Sequence, residues 1–315
     1  MPRIGLDLVD KSNSSGALDA IKRAAALGVP MLWATTGRTA PDPLTYFAAG
    51  LATTDDVVLG TAIVPTYPRH PVMLASQALA LDQITPGRLR FGIGPSHRPT
   101  IEGSFGIPMG KPLDHLREYL TVLRGLLRDG HVDFEGRYYN VHPDLNAPAD
   151  LPLYISALRQ NAFRLAGELA DGAISWVCPL DYLRQTAGPA MREAAIEAGR
   201  PAPRMIAHIP VAMVAERDVM RRVSRPRLEN YGRLTFYARM FADAGYPVGA
   251  SGAVSDELLD HLVVWGDDAE VRSRLNAAFS GGIDELLITL YPADDPADEE
   301  ARLCRILAAL GGAGA

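Results

Sequence analysis

Short apolar runs rich in β-forming residues alternate with longer amphipathic runs along this chain, and the alternation repeats about eight times. The alternation predicts parallel strands joined by right-handed helical crossovers. A length of 315 residues is typical of one (β/α)8 barrel with insertions, which is the fold that we predict. The alternative is an open doubly wound sheet, which usually has fewer units and a glycine-rich first turn that is absent after Leu8. The predicted strands cover residues 3–8, 30–34, 57–64, 88–94, 153–157, 172–177, about 205–214 and 285–291.

Local signals set the ends of several predicted helices. The first should cover residues 16–27, with Ser14 or Ser15 as N-cap and Gly28 as the stop. In the second, Asp42 caps and Pro43 takes the first helical position. We predict one domain over residues 1–315, with a hairpin insertion near 131–141 and a mostly helical insertion near 215–268 at the top of the barrel.

Composition excludes several classes of protein. The net charge is −6 with both signs mixed along the chain, so a nucleic acid is not an expected partner. The two cysteines, Cys178 and Cys304, form no CxxC pair, so neither a disulfide scaffold nor a structural zinc is expected. No apolar stretch is long enough for a bilayer, and residues 1–10 resemble a strand rather than a signal peptide, which predicts a cytoplasmic protein without membrane contact.

Motifs of hydrolases and dinucleotide-binding proteins are missing from the sequence. There is no HxH pair after the first strand, no HExxH and no GxSxG, so no metal site is predicted and a hydrolase is the weakest alternative. The lone Gly92-Ile93-Gly94 is not a dinucleotide fingerprint. In a barrel of this kind the function lies in the loops that follow the strands.

Those loops carry the most specific sequences of the chain. They are GTAIVPTYPRHP at 60–71, GRLRFGIGPSH at 87–97 and LAGELADG at 165–172. With these motifs the chain resembles the bacterial luciferase-like superfamily of flavin and deazaflavin oxidoreductases, and most of all its branch that uses coenzyme F-420. The resemblance covers nearly the whole chain. It implies hydride transfer between the deazaflavin C5 and a small organic substrate, and, by analogy, a homodimer.

The resemblance also implies a non-proline cis peptide at the end of the third strand. By position this is Ala62-Ile63, with Thr61 beside it, and it would lie against the back of the deazaflavin ring. From the pattern alone, the same residues are a buried strand that stops at a proline. After the fourth strand, Gly94 and Ser96 would contact the cofactor, and His97 occupies about the place where related dehydrogenases have a carboxylate. His97 is therefore the predicted acid–base residue, the alternative being a loop histidine bonded to the ring or to backbone.

The segment after the fifth strand is the predicted phosphate site. Backbone amides at a helix N-terminus, next to a cation, attract a phosphodiester, and Ser156, Ala157 and Arg159 fit that description. Relatives usually have Gly-Pro here, so the fine geometry is open, and a solvated helix start is the alternative. The next strand would line the same channel with Gly172, Ile174 and Ser175.

Strand tips and one late segment complete the predicted pocket. Residues 7–10, with Asp7 foremost, and residues 35–37 would face the ring edge or the substrate, although Asp7 also suits the rim of the core. The segment 230–237 would cap the site, the alternative being a plain amphipathic helix. An FMN-dependent monooxygenase of the same superfamily is the closest alternative function, and a noncatalytic flavin- or deazaflavin-binding protein is the alternative from another class.

Overall fold

A computed structural model describes residues 3–8, 13–36 and 40–312 of the chain. Residues 9, 10 and 37 of the predicted strand tips lie outside the described residues. The strands of the described part are β1 (Ile4–Asp7), β2 (Met31–Ala34), β3 (Val58–Thr61), β4 (Val64–Pro65), β5 (Leu89–Gly94), β6 (Phe134–Glu135), β7 (Asn140–Val141), β8 (Leu153–Ser156), β9 (Gly172–Trp176), β10 (Arg204–Ala212), β11 (Val264–Trp265) and β12 (Glu285–Leu290).

Helices follow most of these strands. They are α1 (Ser14–Ala26), α2 (Pro43–Ala52), α3 (Pro71–Ile84), α4 (Arg98–Phe105), α5 (Pro112–Asp129), α6 (Gln160–Leu169), α7 (Leu180–Tyr182), α8 (Gly188–Glu197), α9 (Arg217–Leu228), α10 (Thr235–Asp243), α11 (Asp256–Leu262), α12 (Asp268–Ala278) and α13 (Pro296–Gly312). A π-helical turn at Leu183–Ala187 joins α7 to α8, and a 3-10 turn at Glu229–Arg233 joins α9 to the segment before α10. None of the helices in the described ranges is both long and apolar enough to cross a membrane.

Eight parallel strands close into a barrel, which confirms the predicted fold class. Their order is β1-β2-β3-β5-β8-β9-β10-β12, and β12 pairs back onto β1 with Leu286 opposite Ile4. The short strand β4 extends β5 after β3 has ended, with Val64 opposite Ile93. The strands β6 and β7 form a small antiparallel hairpin. Between β10 and α12 the chain forms three helices and a 3-10 turn.

Side chains fill the barrel interior in layers. Near the amino ends of the strands, Arg90 and Glu285 form a buried ion pair with a nitrogen–oxygen distance of 2.6 Å. Above this pair, Trp33 occupies the middle of the barrel, and Gly5 and Gly60 on the flanking strands make room for it. A Cβ at either glycine would approach the indole to 2.8 and 2.4 Å, respectively. Trp33 is therefore a buried core residue, and its packing closes the barrel below the carboxyl ends of the strands.

Helix ends follow the local signals with one correction. Asp42 caps α2 as predicted, because its side chain accepts hydrogen bonds from the amides of Leu44 and Thr45. The predicted cap of α1 was wrong: Asn13, not Ser14 or Ser15, accepts from the amide of Gly16. An asparagine side chain caps as well as serine does, so the choice among three adjacent polar residues depends on backbone angles that the sequence does not specify.

Candidate active site

A deep cavity opens at the carboxyl ends of the barrel strands, where this architecture places its active sites. Its volume is about 1590 Å³. The floor consists of strand ends, and the walls consist of the loops after β3, β5 and β8 together with α4, the 3-10 turn at Glu229–Arg233 and α10. The segment 230–237 lies in this wall, as predicted, through Tyr231, Leu234 and Tyr237.

One wall of the cavity is formed by residues 62–63, which separate β3 from β4. The peptide bond Ala62-Ile63 is cis, as the resemblance implied, and both residues line the cavity. Thr61 does not line it. Its hydroxyl donates to the carbonyl of Gly92 at 2.9 Å and accepts from the amide of Gly92 at 3.0 Å, so Thr61 ties β3 to β5 where the backbone ladder stops. The structure therefore assigns Thr61 to the frame of the wall.

The loop after β5 adds Ser96 and His97 to the same cavity. Ser96 has a left-handed backbone with φ of 61°, which is uncommon for a residue other than glycine and is enriched at functional sites. His97 precedes α4 and lies beside two aromatic rings, 5.7 Å from Tyr237 and 6.4 Å from Tyr231 between ring centroids. Gly94 lies just behind this surface. A Cβ on Gly94 would come within 2.1 Å of the Ser156 hydroxyl, so the glycine allows Ser156 to line the cavity.

The predicted phosphate site is formed in part. Ser156 and Arg159 line the cavity together with the first turn of α6, residues 160–162. The Arg159 guanidinium is held by Asp243 of α10, with Nε 2.7 Å from Oδ2. This hydrogen bond raises the pKa of Arg159 further above its ordinary value. The positive charge of Arg159, which was predicted to bind a phosphate, is therefore paired with the Asp243 carboxylate on the opposite wall.

Three further residues predicted as cofactor contacts do not line the cavity. Ala157 is buried, and its amide is already bonded to the carbonyl of Ile174 at 2.9 Å. Gly172 lies at the amino end of β9, packed against Tyr154 and the carbonyl of Arg204, below the cavity. Ser175 points away from the barrel interior, because side chains alternate along a strand, and its hydroxyl donates to the carbonyl of Ile206 at 3.3 Å. Ile174 points inward and lines the cavity as predicted.

The floor is polar and joins three neighbouring strands by hydrogen bonds. Asp7 at the end of β1 accepts from the hydroxyl of Thr289 on β12 and from that of Thr35 after β2, each at 3.3 Å. The hydroxyl of Thr289 lies 2.6 Å from Nε2 of His208 on β10. The His208 ring packs against Trp176, with ring centroids 4.2 Å apart. Of this group, Asp7 was predicted from the sequence as a residue of the site, whereas His208 and Thr289 were not.

Two phenols and a thiol near the floor remain neutral. Burial raises the pKa of Tyr237 well above its ordinary value. Burial also raises the pKa of Tyr231, against the lowering effect of a hydrogen bond with Trp176. Cys178 is fully enclosed, and burial raises its pKa, so it is not poised as a thiolate nucleophile. Within the described ranges, no three His, Cys, Asp or Glu side chains are grouped closely enough to hold a metal ion.

An unpartnered polar atom also borders the cavity. The hydroxyl of Thr36 is buried and has no hydrogen-bond partner among the described residues, although the residue lines the cavity. A buried hydroxyl without a partner is energetically unfavourable, so this atom is suited to bond a ligand. Five cationic side chains line the cavity, namely Arg98, Lys111, Arg159, Arg233 and Arg239. The first three are paired with Glu102, Asp114 and Asp243, which line it too.

Comparison with protein families places the chain among flavin and deazaflavin enzymes. Residues 1–285 match the model of the luciferase-like monooxygenase family. A 5,10-methylenetetrahydromethanopterin reductase of Methanopyrus kandleri is 24% identical over 90% of this chain and 91% of its own length. An F-420-dependent glucose-6-phosphate dehydrogenase of Nakamurella multipartita is 34% identical over 53% of this chain and 52% of its own length.

Solved structures share the fold at low identity. An F-420-dependent secondary alcohol dehydrogenase, determined with an F-420–acetone adduct, superimposes with a TM-score of 0.79 at 19% identity, covering 98% of this chain and 97% of its own. The oxygenating constituent of 3,6-diketocamphane monooxygenase from Pseudomonas putida, determined with FMN, gives 0.72 at 21% identity, covering 99% and 97%. At these identities the likeness shows the fold.

Proposed function

The chain belongs to the luciferase-like monooxygenase family, and from this premise we propose that it is a coenzyme F-420-dependent oxidoreductase that transfers a hydride between the deazaflavin C5 and a small organic substrate. The observation that carries the proposal is the cavity itself. Its wall at Ala62-Ile63, its polar floor and the helix start at α6 are parts of one continuous space. The relatives named as F-420-dependent support the choice of cofactor.

The residues around the cavity suit a deazaflavin with a phosphodiester tail. The wall at Ala62-Ile63 would cover one face of the ring, and the unpartnered hydroxyl of Thr36 would bond to its polar edge. Ser96 and Ser156 would contact the ring and the start of the tail. The first turn of α6 offers backbone amides and a favourable dipole for the phosphodiester. Arginines that line the cavity suit the carboxylates of a glutamate-bearing tail.

When bound, the deazaflavin supplies the two-electron hydride chemistry at C5. The protein supplies position, a shielded ring face and a proton. His97 is the first candidate for the acid–base residue, supported by its place at the cavity beside Tyr237. Tyr231 and Tyr237 are neutral, so the wall formed by the 3-10 turn and α10 presents aromatic rings with polar hydroxyl groups. Such a wall suits an uncharged organic substrate.

FMN is the alternative cofactor, because an FMN-dependent oxygenase shares the fold. FMN ends in a phosphate monoester, so its affinity would depend on the helix start at α6 with Arg159 and not on Arg98, Arg233 and Arg239. Activity assays distinguish the two functions. We expect reduced coenzyme F-420 to be oxidised anaerobically by a member of a panel of ketones, imines and activated alkenes. Oxygen consumption with reduced FMN, without any deazaflavin turnover, would instead make the protein a monooxygenase.

We also propose that the enzyme is a cytoplasmic homodimer, by analogy with the superfamily that it resembles. Light scattering on the purified protein measures the mass directly. A mass of twice 33.9 kDa would support the dimer, and the mass of a single chain would contradict it.

A further inference from the structure

A hydrogen-bonded chain of three side chains crosses the floor of the cavity. It runs from Nε2 of His208 to the Thr289 hydroxyl at 2.6 Å, and from that hydroxyl to Oδ2 of Asp7 at 3.3 Å. Thr35 donates to the other oxygen of the same carboxylate. All four residues line the cavity, although His208 and Asp7 are each only 7% exposed.

The chain has a definite direction. A threonine hydroxyl carries one hydrogen, and the Thr289 hydroxyl donates it to Asp7, so its oxygen accepts from the imidazole. In this arrangement Nε2 of His208 carries the proton in the neutral ring. A carboxylate that acts through a hydroxyl in this way fixes the tautomer and the orientation of the histidine and stabilises the imidazolium form.

The position of His208 in the barrel is equally specific. Counting along the closed sheet, β10 is the fourth strand from β3 in either direction, so it lies opposite the wall at Ala62-Ile63. A ring whose back rests on that wall turns its open face towards β10. His97 follows β5, which is the immediate neighbour of β3, and its ring lies near Tyr231 and Tyr237. The position opposite the wall therefore makes His208 the stronger candidate for the proton transfer.

From these relationships we infer that His208, oriented by Thr289 and Asp7, is the catalytic residue that exchanges a proton with the substrate on the open face of the ring. This inference rests on the proposed function and deepens it. In the oxidation of an alcohol, a bound deazaflavin would accept the hydride of the substrate C–H bond with its electron pair. His208 would take the O–H proton as the carbon–oxygen double bond forms. In the reduction of a ketone, an imine or an activated alkene, the deazaflavin would supply the hydride and His208 would return the proton.

The environment of His208 suits this role better than a purely structural one. The ring lies at the carboxyl end of the barrel and borders the cavity, whereas the residue two positions earlier, Ile206, is buried in the middle layer. Trp176 packs against the imidazole at a tilted angle of 53° and is itself hydrogen-bonded to Tyr231 of the 3-10 turn. The His208 ring is therefore supported on the side of that turn as well as by Thr289. Such support from packing and hydrogen bonds is what keeps a catalytic group in place.

The tautomer can be tested without a substrate. In protein labelled with ¹⁵N-histidine, we expect the His208 signal to report the Nε2–H tautomer. Thr289→Val should shift the signal away from that tautomer, and Thr289→Ser should restore it. An Nδ1–H tautomer in the wild type, or a signal that Thr289→Val leaves unchanged, would overturn the relay.

Catalysis gives the second test, with reduced coenzyme F-420 and the acceptor panel. We expect His208→Ala to lower kcat by about 10²–10⁴-fold, to leave the affinity for the deazaflavin unchanged, and to recover activity with added imidazole. Thr289→Val should lower kcat more than it changes KM. His142→Ala, on the exposed hairpin, is the matched control and should behave as the wild type.

The outcomes separate the two proposals. A His208→Ala protein with wild-type kcat would overturn this inference and leave the proposed function standing. A wild-type protein that binds no deazaflavin, or that turns over no acceptor, would count against the proposed function, and the tautomer measurement would then decide whether the relay exists.

Discussion

The side chains of Arg159 and Asp243 join the start of α6 to the end of α10 across the mouth of the cavity, with Nε 2.7 Å from Oδ2. Both are partly exposed, at 41% and 38%. The arginine at the predicted phosphate site is thus partly neutralised by a residue 84 positions away in the sequence. The pair links the predicted phosphate site to α10, which lines the cavity.

Removing the carboxylate should strengthen binding of the deazaflavin. In Asp243→Asn the guanidinium is free to serve the phosphodiester, and we expect affinity to rise roughly two- to fivefold, since exposed pairs are worth about 0.2–1 kcal/mol. Arg159→Gln should weaken binding by a similar factor. Fluorescence quenching of the deazaflavin measures both. Weaker binding in Asp243→Asn would mean that this carboxylate itself holds the ligand.

A methyl group at Gly94 should disturb the cofactor wall. The added Cβ would lie 2.1 Å from the Ser156 hydroxyl and 3.2 Å from Cγ1 of Ile63. We expect Gly94→Ala to cost about 1–3 kcal/mol of unfolding free energy, as overpacking does, and to weaken deazaflavin binding. Urea unfolding gives the first quantity and fluorescence titration the second.

Two variants control this prediction. Adding Ser156→Gly to Gly94→Ala removes the nearest obstacle and should recover part of the lost stability. Gly103→Ala, in α4 where an added Cβ meets nothing within 4 Å, should be neutral or stabilising because alanine favours a helix over glycine. A Gly94→Ala protein as stable as the wild type would show that Ser156 moves aside without cost.

Much of the fold could be predicted because its signals are local. The buried run at 57–64 and the Asp42-Pro43 helix start each depend on residues next to one another, and the structure has the strands and the helix within a few residues of those positions. The helix α4 was not predicted. It contains Pro99 and Gly103, which both have low helix propensity, and a proline is tolerated there only because it falls in the first turn.

The site could be predicted only in part, because its contacts are not local. The loops after the strands identified Asp7, Ile63 and His97 as residues at the cavity. Ser175 was predicted at the cavity but does not line it. Successive side chains of β9 point to opposite sides, and the sequence does not show which of them point inward. His208 was missed because a single histidine within the apolar run of β10 is typical of a core residue. Only the closed barrel brings it to Thr289.

Stability should depend on pH through a buried histidine beside the hairpin. His115 is stacked on Tyr67, with ring centroids 3.9 Å apart, and its Nε2 is 2.9 Å from the Tyr139 hydroxyl. Burial lowers the pKa of His115 from 6.5 to about 4. The unfolded chain therefore binds the proton more readily between these values, and the unfolding free energy should fall as the pH decreases from about 6.5 to about 4.

The measurement is urea unfolding at several pH values across this window. His115→Gln should lose less stability than the wild type between neutral and acidic pH, whatever its stability at pH 7. His131→Gln, which replaces an exposed histidine, should keep the wild-type dependence. If His115→Gln followed the wild-type curve, another group would be responsible for the acid sensitivity.

The most direct test of the account is the binding of the cofactor to the purified protein. Coenzyme F-420 is titrated by quenching of its intrinsic fluorescence, with FMN titrated in parallel under the same conditions. We expect micromolar or tighter binding of the deazaflavin, about −8 kcal/mol or better, and much weaker binding of FMN. Preference for FMN would move the chain to the monooxygenases of its family, and binding of neither would contradict the cofactor assignment.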